Sequence, residues 1–143
     1  MSQDDGITFH PDGSVPQHGE VFVFGSNLAG MHGGGAAAEA ERRFGAQMGV
    51  GWGYMGAPPR HSFAIPTLDE NFEVLPLEEI ERYVERFIQF VAEHPQLRFF
   101  ITRVGCGIAG YRDEQIAPLF RPLIAIGRCS FAEQWRPYLF TET

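Results

Sequence analysis

The sequence predicts an α/β sandwich built on a mainly parallel or mixed sheet, and three observations carry that prediction. Val21-Phe22-Val23-Phe24 is a continuous β-branched and aromatic run ended by Gly25, the pattern of a strand buried on both faces. From Pro76 to about Glu93, the apolar residues Ile80, Tyr83, Val84, Phe87, Ile88 and Val91 recur at helical spacing, the stripe of an amphipathic helix. The succession strand, glycine loop, helix occurs twice, at 21–44 and 97–121, as expected where parallel strands are joined by crossovers.

Taken in order, Pro11-Asp12-Gly13 and Pro16 break the first stretch and leave at most a short strand at Ile7-Thr8-Phe9. Residues 1–19 therefore read as an N-terminal extension packing on or near a single domain of residues 20–143. After the strand at 21–24, the loop from Gly25 to Gly35 leads into Ala36–Phe44, a run of strong helix formers stopped by Gly45. Residues 45–61 hold five Gly and two Pro and read as a long irregular loop. His61–Ile65 reads as a short strand ended by Pro66. The long helix opens with Glu78, Glu79 and Glu81 near its positive end and stops at His94-Pro95. A strand at Leu97–Val104 follows, then the loop Gly105–Gly110 and a helix at about Asp113–Arg121. Cys129-Ser130-Phe131 reads as a last strand, and Ser130 with Glu133 fits a capping box opening a terminal helix through Trp135.

Composition narrows the function. In 143 residues, 44% apolar and 20% charged, the 13 Phe, 4 Tyr and 2 Trp supply a large core and exclude a disordered chain. No apolar stretch is long enough to span a bilayer, and Met1–Asp5 does not open a signal peptide, so no membrane partner and a cytoplasmic location are expected. All 11 cationic residues are Arg, which excludes chemistry that needs a lysine Schiff base or a P-loop lysine. The net charge of -7 argues against a broad grip on a nucleic-acid backbone. Cys106 and Cys129 have no CxxC spacing and read as free thiols, and no metal site or resident cofactor is expected.

Two glycine loops that each follow a strand should lie on one edge of a parallel sheet, where open α/β folds bind ligands. Glycine lets backbone N–H groups approach phosphate oxygens, and a helix N-terminus adds partial positive charge, so the pair suits two linked phosphates. Residues 105–110 also fit G-x-G-x-x-G, but only 33 residues follow Gly110, too few for the rest of a dinucleotide-binding Rossmann unit.

These residues resemble the macrodomain family of ADP-ribose binders. Phe22-Val23-Phe24-Gly25-Ser26-Asn27 with Gly33-Gly34-Gly35-Ala36 is similar to the family's buried strand, ribose-contacting Asn and first phosphate loop. Arg103-Val104-Gly105-Cys106-Gly107-Ile108-Ala109-Gly110-Tyr111 resembles the second phosphate loop, in the G-C-G form of the branch that includes terminal ADP-ribose-protein glycohydrolases. Val21–Phe120 is also similar to small bacterial and phage macro-like proteins bearing F-G-S-N-L-A-G, A-I-P-T and G-C-G-x-A-G-Y. The resemblance implies a three-layer α/β/α sandwich with a central mixed sheet, and a ligand site of Gly25, Ser26, Asn27, His32, Gly33, Gly34, Gly35, Gly105, Cys106, Gly107, Ile108, Ala109, Gly110 and Tyr111. It implies binding of ADP-ribose or an ADP-ribosylated protein, with nucleic acid a partner only as an ADP-ribosylated substrate.

Three departures bear on chemistry. Ala37 and Ala109 stand where hydrolase subgroups carry acids, and no Lys is present to form a covalent sugar adduct. Asp4, Asp5 and Asp12 are candidates for the acid that reads adenine. Asn27 is the candidate for orienting the ribose and Asp69 for positioning water; the competing readings are a turn residue and an exposed loop carboxylate. His32 reads equally as a phosphate contact and a solvated loop residue, and Cys106 as a small buried side chain. Trp52, Tyr54, Phe72, Tyr138 and Phe140 are candidate stacking groups. The expected activity is hydrolysis of mono-ADP-ribose from a modified side chain. The alternatives are a reader or sponge of ADP-ribose, and a protein-interaction module with vestigial loops.

Overall fold

The computed structural model describes residues 6–140. Its strands are β1 (Ile7–His10), β2 (Val21–Asn27), β3 (Gly53–Ala57), β4 (Arg60–Leu68), β5 (Phe99–Ile101) and β6 (Cys129–Ala132). Its longer helices are α1 (Gly35–Arg43) and α2 (Leu77–Glu93), followed by the short α3 (Asp113–Ile116), α4 (Leu123–Ile126) and α5 (Arg136–Leu139). The strands form one sheet in the order β1-β6-β5-β2-β4-β3, parallel throughout except for the antiparallel β3–β4 hairpin.

β2 explains the layering. Val21 to Phe24 are all buried, and alternate side chains leave the strand on opposite faces. Val21 and Val23 join one core with Ile80, Val84, Phe87 and Val91 of α2 and with Phe120, Phe131 and Trp135. Phe22 and Phe24 join a second, smaller core with Ala37, Ala40 and Phe44 on the α1 side. The result is the mixed α/β sandwich that the periodicities predict. The apolar stripe of α2 is the buried stripe, and truncating Phe87 to Ala would cost about 3–5 kcal/mol through lost contacts and a cavity.

The structure corrects the sequence reading in five places. Residues 53–57 of the expected loop form β3, where Gly56 serves close approach: a Cβ on it (φ 84°) would lie 2.5 Å from the Arg60 carbonyl oxygen. β4 continues through Pro66 to Leu68. β3 pairs with β4 only at Arg60–Ala64, so the proline N–H is not missed on that side, and the β2 register shifts beside it at Ser26/Asn27. β5 is three residues long because the chain leaves the sheet after Ile101, where the Thr102 backbone N–H and hydroxyl both donate to the Val23 carbonyl. The helix expected at 113–121 breaks into α3 and a 3-10 turn at Ala117–Phe120, the break falling where Pro118 withholds a donor. Ser130 caps no helix: it lies inside β6, and its Oγ is 2.8 Å from His10 Nδ1. The N-terminal stretch contributes β1, which pairs with β6 from Ile7↔Cys129 to His10↔Ala132 and carries the sheet beyond Glu20.

Among the described residues no helix is long and apolar enough to cross a membrane.

Candidate functional site

Because β1, β6, β5, β2 and β4 are parallel, their carboxyl ends share one edge of the sheet, and the segments after β2, β4 and β5 open there around a cleft of about 670 Å³. That volume lies within the range of small-molecule sites. From β2 and its loop, Gly25, Ser26, Asn27, Met31, Gly33, Gly34, Gly35, Ala36 and Ala37 line it. From the segment after β5, Thr102 to Ala109 do, and Thr67, Leu68, Phe72 and Asp12 complete the wall.

The two glycine loops meet. A Cβ on Gly25 would lie 3.4 Å from the Gly105 backbone nitrogen, so the loops pack backbone to backbone at the sheet edge. At Gly33, Gly34, Gly35 and Gly107 an added Cβ would meet nothing within 4 Å, so these residues leave open space at the cleft. Gly34 is the N-cap of α1 and supplies no capping side chain. The first-turn N–H groups of α1 have no intrahelical acceptors and open onto the cleft with partial positive charge, a setting suited to an anion.

Of the residues singled out in the sequence, Gly25, Ser26, Asn27, Gly33, Gly34, Gly35, Gly105, Cys106, Gly107, Ile108 and Ala109 line the cleft. Four others lie elsewhere. His32 is buried, with Nε2 at 2.8 Å from the Gln47 carbonyl and 3.1 Å from that of Val50, and its ring stands edge-on to Phe24. It pins the loop to the segment before β3. Tyr111 donates its hydroxyl to the Leu75 carbonyl at 2.6 Å, while its N–H and that of Gly110 close the second loop on Gly105 and Gly107. Asp69 is outside the wall, and its Oδ1 accepts the N–H groups of Asn71 (2.8 Å) and Glu73 (3.0 Å).

Asn27 is both a lining and a structural residue. Its Nδ2 donates to the Met31 carbonyl at 2.9 Å and its Oδ1 accepts the Met31 N–H at 3.0 Å, so the amide clamps the turn that starts the first loop. Cys106 is half-buried, its thiol pushed up to about 12 by burial and by the neighbouring Asp113 carboxylate. A thiol so poised is not a nucleophile at neutral pH.

The sequence reading missed the charged network beside the second loop. Arg103 donates from Nε and Nη2 to the two carboxylate oxygens of Asp113, both at 2.8 Å, and from Nη1 to Asp12 at 3.1 Å. The indole of Trp135 also donates to Asp113, at 2.8 Å. Burial alone would raise the Asp113 carboxyl, but its bonds from Arg103, Trp135 and Cys106 outweigh that and hold it below its ordinary value. Arg103 is held protonated by the same contacts. The only available signal was an arginine two residues before the Gly105 loop, because its partners lie 10 and 91 residues away. Asp12 is thereby placed at the cleft; Asp4 and Asp5 lie outside the described residues.

Of the five aromatic candidates, Phe72 alone lines the cleft. Trp52 packs on Phe63 and Tyr83, Tyr54 on Phe90 with its hydroxyl 2.7 Å from His61 Nδ1, Tyr138 on the larger core, and Phe140 against the edge of Phe9. Among the described residues no group of three His, Cys, Asp or Glu is placed to hold a metal ion.

No protein-family model and no curated protein matches the chain. Solved structures match its fold. The macrodomain of Mycobacterium tuberculosis DarG is 17% identical with a TM-score of 0.68, the match covering 88% of this chain and 96% of that one. The Oceanobacillus iheyensis macrodomain mutant D40A is 13% identical with a TM-score of 0.62, covering 97% and 94%. A Bacteroides thetaiotaomicron protein of unknown function is 13% identical with a TM-score of 0.63, covering 88% and 97%. The sandwich described here is thus the fold of macrodomains.

Proposed function

We propose that the cleft binds the ADP-ribose moiety, its diphosphate held between Gly33–Gly35 with the N-terminus of α1 on one side and Gly105–Ala109 on the other. The observation that carries this reading is the convergence of two glycine loops and an uncapped helix N-terminus on one cleft, with open space at Gly33, Gly34, Gly35 and Gly107. In a chain of net charge -7, with Arg103 already paired to Asp12 and Asp113, an anion must be attracted locally by the backbone N–H groups of the glycine loops and α1 rather than by the molecule's overall field. Asp12, which lines the cleft at the Arg103 end, accepts from the exocyclic amine of the base in this reading.

Binding is better supported than turnover. Asp69 is committed to its own turn, Cys106 is a neutral thiol, and Ala37 and Ala109 offer no acid. The reader or sponge of ADP-ribose, free or attached to protein, is therefore the first reading. Release of mono-ADP-ribose from a modified acidic side chain or related ester is the second, and Asn27 favours it. After its two bonds to Met31 the amide retains one N–H and one lone pair at the cleft, enough to orient a ribose while the substrate's own diphosphate activates water.

Calorimetry with ADP-ribose tests the binding, with an expected dissociation constant in the micromolar range, about -8 kcal/mol. Adenosine should bind far more weakly, and equal affinity for the two would defeat the assignment. Incubation with ester-linked, Arg-linked and nucleic-acid-linked ADP-ribose then separates the readings, since a reader binds the free ligand and releases nothing.

A further inference from the structure

Resting on the ADP-ribose reading, we infer that Phe72 is a stacking platform for a planar ring carried on the second ribose of the ligand, and that Asp69 is the positioning residue that holds it there. Phe72 has φ 64°, the left-handed region, which a bulky side chain adopts only where its surroundings impose it. They do so through Asp69, whose Oδ1 accepts the N–H groups on both sides of Phe72, those of Asn71 at 2.8 Å and Glu73 at 3.0 Å. The Phe72 N–H donates to the Asp69 carbonyl, the Asp69 N–H to the Glu73 carbonyl, and Leu68 pairs with Val74 at the base of the turn.

Core packing does not explain this arrangement. Phe72 is 53% exposed, yet it lines the cleft. Its position in the fold indicates what it meets. The turn follows β4, which lies beside β2 on the side away from β5, whereas Arg103 and Asp12 stand on the β5 side. The phosphate loops lie between them. One end of the cleft is charged and hydrogen-bonding; the other carries Phe72 and Leu68, the last residue of β4. With the base at Asp12 and the diphosphate at the glycine loops, the second ribose reaches the Phe72 end. A bare sugar hydroxyl gains little from an exposed phenyl ring, whereas a flat heteroaromatic ring on that sugar's C1 gains a stacked contact.

The test compares three ligands of one skeleton: ADP-ribose, and diadenosine diphosphate and NAD+, which carry adenine or nicotinamide on the C1 of the second ribose. The two ring-bearing ligands should bind the wild-type protein roughly tenfold tighter than ADP-ribose, and Phe72→Ala should remove that preference, bringing the three ligands to about the same affinity. Phe72→Trp should retain the preference. Asp69→Ala should reproduce Phe72→Ala and add nothing to it in the double variant, because it acts through the same ring. Asp69→Asn, whose side-chain oxygen accepts the same two bonds, should preserve the preference. If the wild-type protein binds none of the three, the ADP-ribose reading falls and takes this inference with it. If it binds ADP-ribose without preferring a ring, or if Phe72→Ala weakens all three equally, the platform alone is refuted.

Discussion

Gly34→Glu separates the proposed anion site from the fold. Gly34 has φ -155° and ψ 167°, extended backbone open to any residue, and an added Cβ would meet nothing within 4 Å. The substitution also places a carboxylate at the N-terminus of α1, where the helix dipole favours negative charge by about 0.3–1 kcal/mol. Stability should therefore be unchanged or slightly raised. Binding should respond the other way. A carboxylate about 4 Å from one phosphate charge, at the effective dielectric of a protein surface, is repelled by about 4 kcal/mol. That is roughly a thousandfold, enough to move a micromolar dissociation constant to millimolar. Gly34→Ala, uncharged and sterically free, is the control and should keep most of the affinity. Thermal melts establish folding, and calorimetry with ADP-ribose reads the binding. A folded Gly34→Glu variant that binds ADP-ribose like the wild type would falsify the placement of the diphosphate beside α1.

Asp113→Asn should destabilise the protein by about 2 kcal/mol, or roughly 4–8 °C in a melt, because it removes the charge of a partly buried ion pair and sets an amide N–H2 against Arg103 Nη2 where Oδ2 accepts; an unchanged melting temperature would show the network to be decorative. Since the Asp113 carboxyl lies below its ordinary value in the folded state, its contribution is present above the ordinary carboxylate range and is lost only as pH falls below it. His10 titrates in a different window. Burial against Phe100 and Ser130 lowers it to about 4, so the unfolded chain takes up its proton first. Stability should fall by up to about 3 kcal/mol as pH drops from about 6.5 to about 4, and urea titrations of His10→Gln should show a shallower decline over that interval. Asn27→Ala removes both bonds to Met31, so it should lower stability by about 1–2 kcal/mol as well as weaken ADP-ribose binding; weaker binding at full stability would mean the amide serves the ligand alone.

The layering and the position of the cleft at the sheet edge were legible in the sequence, because they depend on local regularities. Four consecutive buried residues in β2, the apolar stripe of α2 and glycines directly after two strands are short-range patterns, and the geometry of strands and helices turns them into faces and edges. Pattern reading failed where a residue's role depends on a distant partner. Residues 53–57 became a strand because β4 offers them an edge, and Ser130 became part of β6 because β1 and β5 flank it. His32 lies off the cleft wall because the carbonyls of Gln47 and Val50 meet its ring. Asp69 looked like a loop carboxylate near a strand end, and only the path of residues 69–73 shows its oxygen closing a turn around Phe72. Arg103, Asp12, Asp113 and Trp135 are scattered along the chain, and the parallel packing of β1, β6 and β5 brings them together at one end of the cleft. Periodicity reports which face of an element is buried, whereas a hydrogen-bonded site depends on which elements become neighbours, and that is decided by the packing of the whole sheet.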